Sequence, residues 1–228
     1  MAACAWTAPT AITQTACLEK ACKDAAQLRT GAIITAAGRS SRMGVFKPLL
    51  KIGSLTAIER IISSFRAASV NNIAIITGNN AQEFENSIKE LNVVFLRNDM
   101  YEHNEMLDSI KIGLDYQKEK CDKIFITPVD VPLFSSDTVK ALLNCKTDAG
   151  IPTYEGKTGH PIILGNNAVT GILNYSGSGG LRNAITELSP DVEYIETEDR
   201  GILYDMNTQE DYAGILKLFS GLSGGYQK

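Results

Sequence analysis

The stretch GAIITAAGRSSRMGVFKPLL, residues 31–50, decides the fold. Its first seven residues form an apolar run rich in Ile and Ala, the pattern of a strand buried on both faces. The run breaks at Gly38, and Arg39, Arg42 and Lys47 then fall within nine residues, ahead of Pro48. Gly38 and Gly44 let the backbone turn tightly and approach a ligand with no Cβ in the way. Successive amides in such a turn form an anion-binding concavity. Arginine adds a fork of donors and lysine a point charge, both suited to phosphate oxygens. The loop is not a P-loop, because Val45 and Phe46 separate Gly44 from Lys47, and it contains no G-x-G. A solvated glycine turn with ordinary surface charges is the plainer alternative. Three cations directly after the first strand weigh against it.

Outward from this loop, apolar runs alternate with helical patterns. Ile58, Ile61, Ile62 and Phe65 share one face of a helix that begins at Thr56. Residues 72–78 read as a strand, 81–91 as a helix and 93–98 as a strand. Met106, Leu107, Ile110 and Leu114 recur at helical spacing. Residues 123–134 form a strand running into a proline-marked turn, and Ser136 or Asp137 caps the helix after it. Such alternation argues for parallel βαβ units in one α/β domain, a three-layer α/β/α sandwich with a mostly parallel sheet. Ligands in such sheets bind beyond the carboxyl ends of the strands, where the Gly38 loop and Asp130 both fall. Further on, residues 148–165 read as two strands joined by a glycine-containing turn, and 176–188 as a glycine-rich turn into a helix. Residues 192–197 and 201–207 read as short strands, and a closing helix starts with Thr208 as its cap.

The 228 residues carry a formal net charge of −4, so the cations of the loop are local and suit a small anion. No broad basic surface is implied, which argues against nucleic acid. No apolar run reaches the roughly 20 residues that span a bilayer. The first 30 residues have no basic start and no unbroken apolar core, and do not read as a signal peptide. Five cysteines, an odd number, do not favour a disulfide framework, and a cytoplasmic location is the simpler reading. Cys4, Cys17 and Cys22 crowd the N-terminus, but no further cysteine follows closely, as an iron–sulfur site would need. The best division is an N-terminal extension over 1–29, one domain over 30–220 and a tail over 221–228.

Two acidic features complete the pattern. Asp130 ends a buried strand between Val129 and Val131, where an unpaired carboxylate is costly and a bound cation removes the cost. A turn aspartate before Pro132 is the plainer role. Asp205 and Asn207 stand two apart, on one side of an expected strand. His160 before Pro161 either bonds a ligand or braces its loop. Tyr101 and Tyr204 could stack on a ring, with core packing as the default. His103 has no supporting motif.

The chain resembles the nucleotidyltransferases of the molybdenum cofactor group. Their apolar strand leads into A-A-G-x-S-x-R-M-G and then K-P-L, matched here by Ala36, Ala37, Gly38, Arg39, Ser40, Arg42, Met43, Gly44, Lys47, Pro48 and Leu49. PVDVPL at 128–133, GHP at 159–161 and DMNTQEDY at 205–212 follow in the family's order. The resemblance implies a Rossmann-like fold of the nucleotide-diphospho-sugar transferase type and transfer of a nucleotidyl group. The A-A-G-R-S form resembles the cytidylyltransferases, against A-G-G-R in guanylyltransferases. It implies CTP, with GTP or another NTP as the alternative, and a molybdopterin-type phosphate acceptor. The implied nucleotide-binding residues are Ala36, Ala37, Gly38, Arg39, Ser40, Gly44 and Lys47. Lys47, Arg42 and Asp130 are the implied catalytic set, Asp130 and Asp205 hold Mg2+ or Mn2+, and His160 and Asn207 meet the acceptor. A molybdenum hydroxylase or its maturation chaperone is the implied protein partner. A sugar- or polyol-phosphate nucleotidyltransferase is the runner-up, and a cofactor-delivery module the non-enzymatic one. The chain departs from the family's pattern at Glu105 and Asp108, where glycine and serine are expected, at Ser178 in place of an acid, and at Gln209 in place of proline.

Overall fold

The computed structural model describes residues 28–38, 45–78, 80–102, 105–188 and 191–224, with side chains to residue 221. The first strand, β1 (Thr30–Thr35), is followed by a short hairpin of β2 (Lys51–Ile52) and β3 (Leu55–Thr56). Helix α1 (Ala57–Ala67) leads to β4 (Asn72–Thr77), and α2 (Ala81–Ser87) to β5 (Val94–Arg97). Helix α3 (Met106–Gln117), β6 (Lys123–Pro128) and α4 (Ser136–Leu143) come next. The last third holds β7 (Ala149–Tyr154), β8 (Lys157–Thr158), β9 (Ile162–Gly165), α5 (Asn166–Asn174), α6 (Gly180–Leu188), β10 (Val192–Glu196) and α7 (Gln209–Gly224).

The main sheet runs β10-β7-β9-β6-β1-β4-β5, with β8 on β7. β1 pairs in parallel with both β4 and β6, and β4 with β5, while β9 is antiparallel to β6 and β7. The sheet is mostly parallel, as the alternation of elements requires. Successive side chains of a strand face opposite ways. Ala32 and Ile34 of β1 and Phe125 of β6 therefore enter one core with α1 and α4, while Ile33, Ile124 and Ile126 enter the other with α3, α5 and α6. Helices thus cover both faces, making three layers. Gly113 brings α3 down onto β1, since a Cβ there would lie 2.7 Å from Cγ2 of Ile33. Among the described residues no helix is long and apolar enough to cross a membrane.

Local signals place most boundaries. Thr56 caps α1, accepting from the Glu59 amide, and the Glu59 carboxylate accepts in return from the Thr56 amide at 2.6 Å. Three expectations are corrected. The cap of α4 is Ser135, not Ser136 or Asp137: its hydroxyl accepts from the Thr138 amide, and Asp199 secures the turn by accepting from the Ser135 amide and the Thr138 hydroxyl. Residues 201–207 form no strand. Arg200–Leu203 is a 3-10 turn capped by Asp199, because Gly201 must lie against the Leu133 carbonyl, where a Cβ would sit 2.2 Å from that oxygen. The span 148–165 holds three strands rather than two, and α5 behind it went unexpected, as did the β2–β3 hairpin.

Candidate active site

β1 connects toward β4, and β6 returns on its other side, so the strand order reverses between them. A crevice opens beyond the carboxyl ends at such a switch point. Thr35 pairs with Pro128 across it, and the Val129 amide donates to the Thr35 carbonyl at 3.0 Å. A cavity of about 180 Å³ sits there, with Ala36, Ala37, Gly38, Lys47, Pro48 and Asp130 in its lining. The Ala36 amide donates to the Ile76 carbonyl at 2.9 Å, which holds the start of the loop against β4.

Lys47 is drawn inward by Pro48 and the short 3-10 turn it begins, Lys47–Leu49. Its ammonium lies 3.4 Å from Oδ2 of Asp130 and donates to Oδ1 of Asn207 at 3.0 Å. The Asn207 amide group donates in turn to Oδ2 of Asp205 at 2.6 Å. These four residues come from three distant parts of the chain. One backbone bond explains the meeting: the Met206 amide donates to the Asp130 carbonyl at 2.9 Å. Met206 is fully buried beneath, so its neighbours Asp205 and Asn207 are presented at the end of β6. Asp211 of α7 accepts from the Asn207 and Thr208 amides and fixes the turn. The Thr208 hydroxyl accepts from the Asp211 amide, so Thr208 caps α7 as expected. Asp205 and Asn207 are therefore neighbours through a turn and not through a strand.

The electrostatics of the cluster are unbalanced. Burial pushes the Asp130 carboxyl above the usual carboxylate range, Lys47 opposes this, and the nearby Asp205 carboxylate pushes it further. Two carboxylates close enough to influence one another, beside a single ammonium, suit a divalent cation that also holds phosphate oxygens. Among the described residues no group of three or more His, Cys, Asp or Glu could hold a metal by protein ligands alone.

His160 faces a second, larger cavity of about 530 Å³, which shares Thr35, Met106 and Pro128 with the first. Its backbone amide donates to the Ile202 carbonyl at 3.1 Å, and its peptide bond to Pro161 is cis. Its Nδ1 is sealed from solvent and has no hydrogen-bond partner. Burial lowers its pKa to about 4, against the raising effect of the Ile126 carbonyl. The imidazole is neutral at physiological pH.

Arg39, Ser40, Arg42, Gly44 and His103, and the N-terminal cysteines, lie outside the described residues. Tyr101 is half-buried on the wall of the first cavity and not in the core, whereas Tyr204 packs against the apolar cluster under α7. Glu105, Met106 and Ser109 also line that wall, and the Asn98 side chain donates to the buried Ser109 hydroxyl at 2.9 Å. The helical spacing of 106–117 marked Ser109 as part of a helix and carried no sign that it faced a cavity. Arg182, at the start of α6, faces the second cavity.

The MobA-like NTP transferase domain matches residues 32–192. The molybdenum cofactor cytidylyltransferase of Escherichia coli (strain K12) is 28% identical over 183 residues, 79% of this chain and 92% of that protein. A nucleotidyl transferase from Methanothermobacter thermautotroptrophicus superposes with a TM-score of 0.74 at 22% identity, covering 85% of this chain and 99% of that one. Rv0371C from Mycobacterium tuberculosis H37Rv, in complex with manganese, gives a TM-score of 0.68 at 18% identity, covering 83% and 98%. The structural likenesses show a shared fold. The family's domain runs from within the first strand to the first residue of β10, and the chain accordingly belongs to the MobA-like NTP transferases and is a nucleotidyltransferase.

Proposed function

We propose that the protein transfers CMP from CTP to the phosphate of a molybdopterin-type acceptor and releases pyrophosphate. The observation that carries this reading is the meeting of Lys47, Asp130, Asp205 and Asn207 beside the Ala36–Gly38 loop, at the switch point of the sheet. An acceptor phosphate oxygen attacks the α-phosphorus, a new P–O bond forms, and the bond to the β-phosphate oxygen breaks. Pyrophosphate leaves with that electron pair. Such a transfer asks the protein mainly for positioning and for charge at the oxygens that become more negative.

Lys47 supplies that charge. In the free protein its ammonium rests between Asp130 and Asn207, and it is close enough to turn to a phosphate oxygen when nucleotide enters. The Ala36–Gly38 backbone and the loop through Arg39, Ser40, Arg42 and Gly44 would cradle the triphosphate. Asp130 and Asp205 would hold Mg2+, or Mn2+, and Rv0371C in complex with manganese supports a divalent ion in this fold. A divalent ion there would neutralise charge on the phosphate oxygens. His160 lines the second cavity, Asn207 stands beside Lys47, and both would orient the acceptor.

CTP is favoured over GTP by the methyl of Ala37, which leaves less room than the glycine of the A-G-G-R form for a purine. The cytidylyltransferase of E. coli supports the same choice and the same acceptor. The test is pyrophosphate release with each NTP, Mg2+ and either molybdopterin or a sugar phosphate. Turnover with GTP equal to that with CTP would overturn the base assignment, and turnover only with a sugar phosphate would overturn the acceptor.

A further inference from the structure

Thr35 closes β1 one residue before Ala36. It pairs across the sheet with Pro128, two residues before Asp130. Side chains alternate along a strand, so Thr35 faces the same way as Ile33, toward the layer that holds α3. There it lines both cavities. Of the three residues they share, Thr35, Met106 and Pro128, it alone carries a hydroxyl, amide or charge.

Thr35 is 8% exposed, and a polar side chain at that depth is ordinarily hydrogen-bonded. Among the described residues the other buried polar side chains all are. The Thr77 hydroxyl donates to Glu85 at 2.9 Å, Thr127 to the Pro128 carbonyl at 3.3 Å, Thr138 to Asp199 at 2.6 Å and Thr153 to Glu196 at 2.6 Å. Thr56, Asn98, Ser109 and Gln117 are bonded as well. Oγ1 of Thr35 has no partner among the described residues. It is not sealed off either, because the unpartnered side-chain atoms shut away from solvent are Oε1 of Gln117 and Nδ1 of His160. The hydroxyl therefore opens into the cleft with its proton free to donate. A valine would fill the same space and carry no polar group, so packing gives no reason for the hydroxyl.

The α-phosphorus is the one atom that both substrates of a nucleotidyl transfer reach. With nucleotide beside the Ala36–Gly38 loop and acceptor in the second cavity, it lies where the cavities meet. That placement rests on the function proposed above, but on neither the base nor the identity of the acceptor. We infer that Thr35 is a catalytic residue whose hydroxyl donates a hydrogen bond to a nonbridging oxygen of the α-phosphoryl group in transfer. The acceptor oxygen bonds to phosphorus as the bond to the β-phosphate oxygen breaks, and Thr35 keeps its proton throughout. A donor already aimed at the transferring group stabilises and aligns it with no reorganisation at the moment of reaction.

Thr35→Val keeps the shape and removes the hydroxyl. Pyrophosphate release is followed with Mg2+, CTP or GTP, and molybdopterin or glucose 1-phosphate, and the variants are compared on the pair that the parent uses fastest. Thr35→Val should lower kcat/KM by about ten- to a hundredfold, the loss of a hydrogen bond to a charged group. Its melting temperature should hold, and Thr35→Ser should recover most of the activity. The two αS diastereomers of the nucleotide, each with sulfur at one nonbridging position, give a readout that packing does not move. Sulfur accepts hydrogen bonds weakly. The diastereomer with sulfur toward Thr35 has already lost the bond, so Thr35→Val should barely slow it, while the other should fall as far as the oxygen substrate. Parental turnover by Thr35→Val would overturn the inference. So would a Thr35→Ser as slow as Thr35→Val, with equal losses on both diastereomers. Selective loss on one diastereomer in a reaction that uses GTP or glucose 1-phosphate would support Thr35 and overturn the base or the acceptor proposed above. A parent that turned over no pair would overturn both.

Discussion

Replacing Asp130 by Asn tests the centre of the mechanism, because a structural acid and a metal-holding acid respond in opposite ways. At 3.4 Å, with an effective dielectric near 20, the attraction between Asp130 and Lys47 is about 5 kcal/mol before desolvation is counted. Yet the folded-state pKa of Asp130 is raised, so burial and the Asp205 charge together outweigh that attraction. The sign follows directly. A carboxyl with a raised pKa stabilises the fold when protonated, and that contribution is lost as pH rises from about 3.8 through the folded-state value. At neutral pH the ionised Asp130 is therefore a net cost to the free protein. Asn has the same shape and still offers an oxygen to Lys47. Asp130→Asn should leave the melting temperature of the metal-free protein unchanged or raise it by about 2–4 °C, corresponding to about 1 kcal/mol in a domain of this size. Turnover should fall by about 10²–10³, as when one charge-stabilising group is removed. The extra stability from CTP and Mg2+, about 2.7 kcal/mol at a hundredfold excess over Kd, should shrink with the lost affinity. Differential scanning fluorimetry with and without ligand, beside a pyrophosphate-release assay, reads all three. A variant that melts well below the parent and yet turns over normally would make Asp130 a structural cap and refute the reasoning.

Lys47→Ala should lower kcat/KM by about 10²–10³ in the same assay, and normal turnover would remove Lys47 from the site. His160 bears on pH. Its pKa is lowered from 6.5 to about 4, so the unfolded chain takes up a proton first and stability falls as pH drops through that window. The full effect is of the order of 3 kcal/mol, and His160→Gln should flatten the melting temperature between those pH values. Gly113→Ala should destabilise by about 1–3 kcal/mol through overpacking against Ile33, measured by urea denaturation. An unchanged midpoint would mean α3 does not need that close approach.

Much of this protein is legible in residues 31–50 and in the alternation after them. A buried strand, a glycine turn and a helix cap are local patterns, and local patterns survive without knowledge of the rest of the chain. Thr56 and Glu59 specify one helix start from four residues, and the apolar spacing of 58–65 specifies its buried face. The cations after the first strand and the acids Asp130 and Asp205 are legible for the same reason, as polar groups at the ends of apolar runs. Residues 201–207 were misread because a short apolar run resembles a strand, and only the close seat of Gly201 on Leu133 forces the turn. Lys47 and Asn207 stand 160 positions apart, and no spacing rule joins them. Their meeting depends on one bond, from the Met206 amide to the Asp130 carbonyl, and on burial of Met206 beneath it. The second cavity was hidden in the same way. Its aliphatic lining, Ile110, Ile126, Ile151, Ile162, Ile185 and Val192, comes from six separate elements, each of which reads alone as ordinary core. Sequence sets what each segment prefers over a few residues; long-range packing decides which polar ends share a site and which apolar faces remain open.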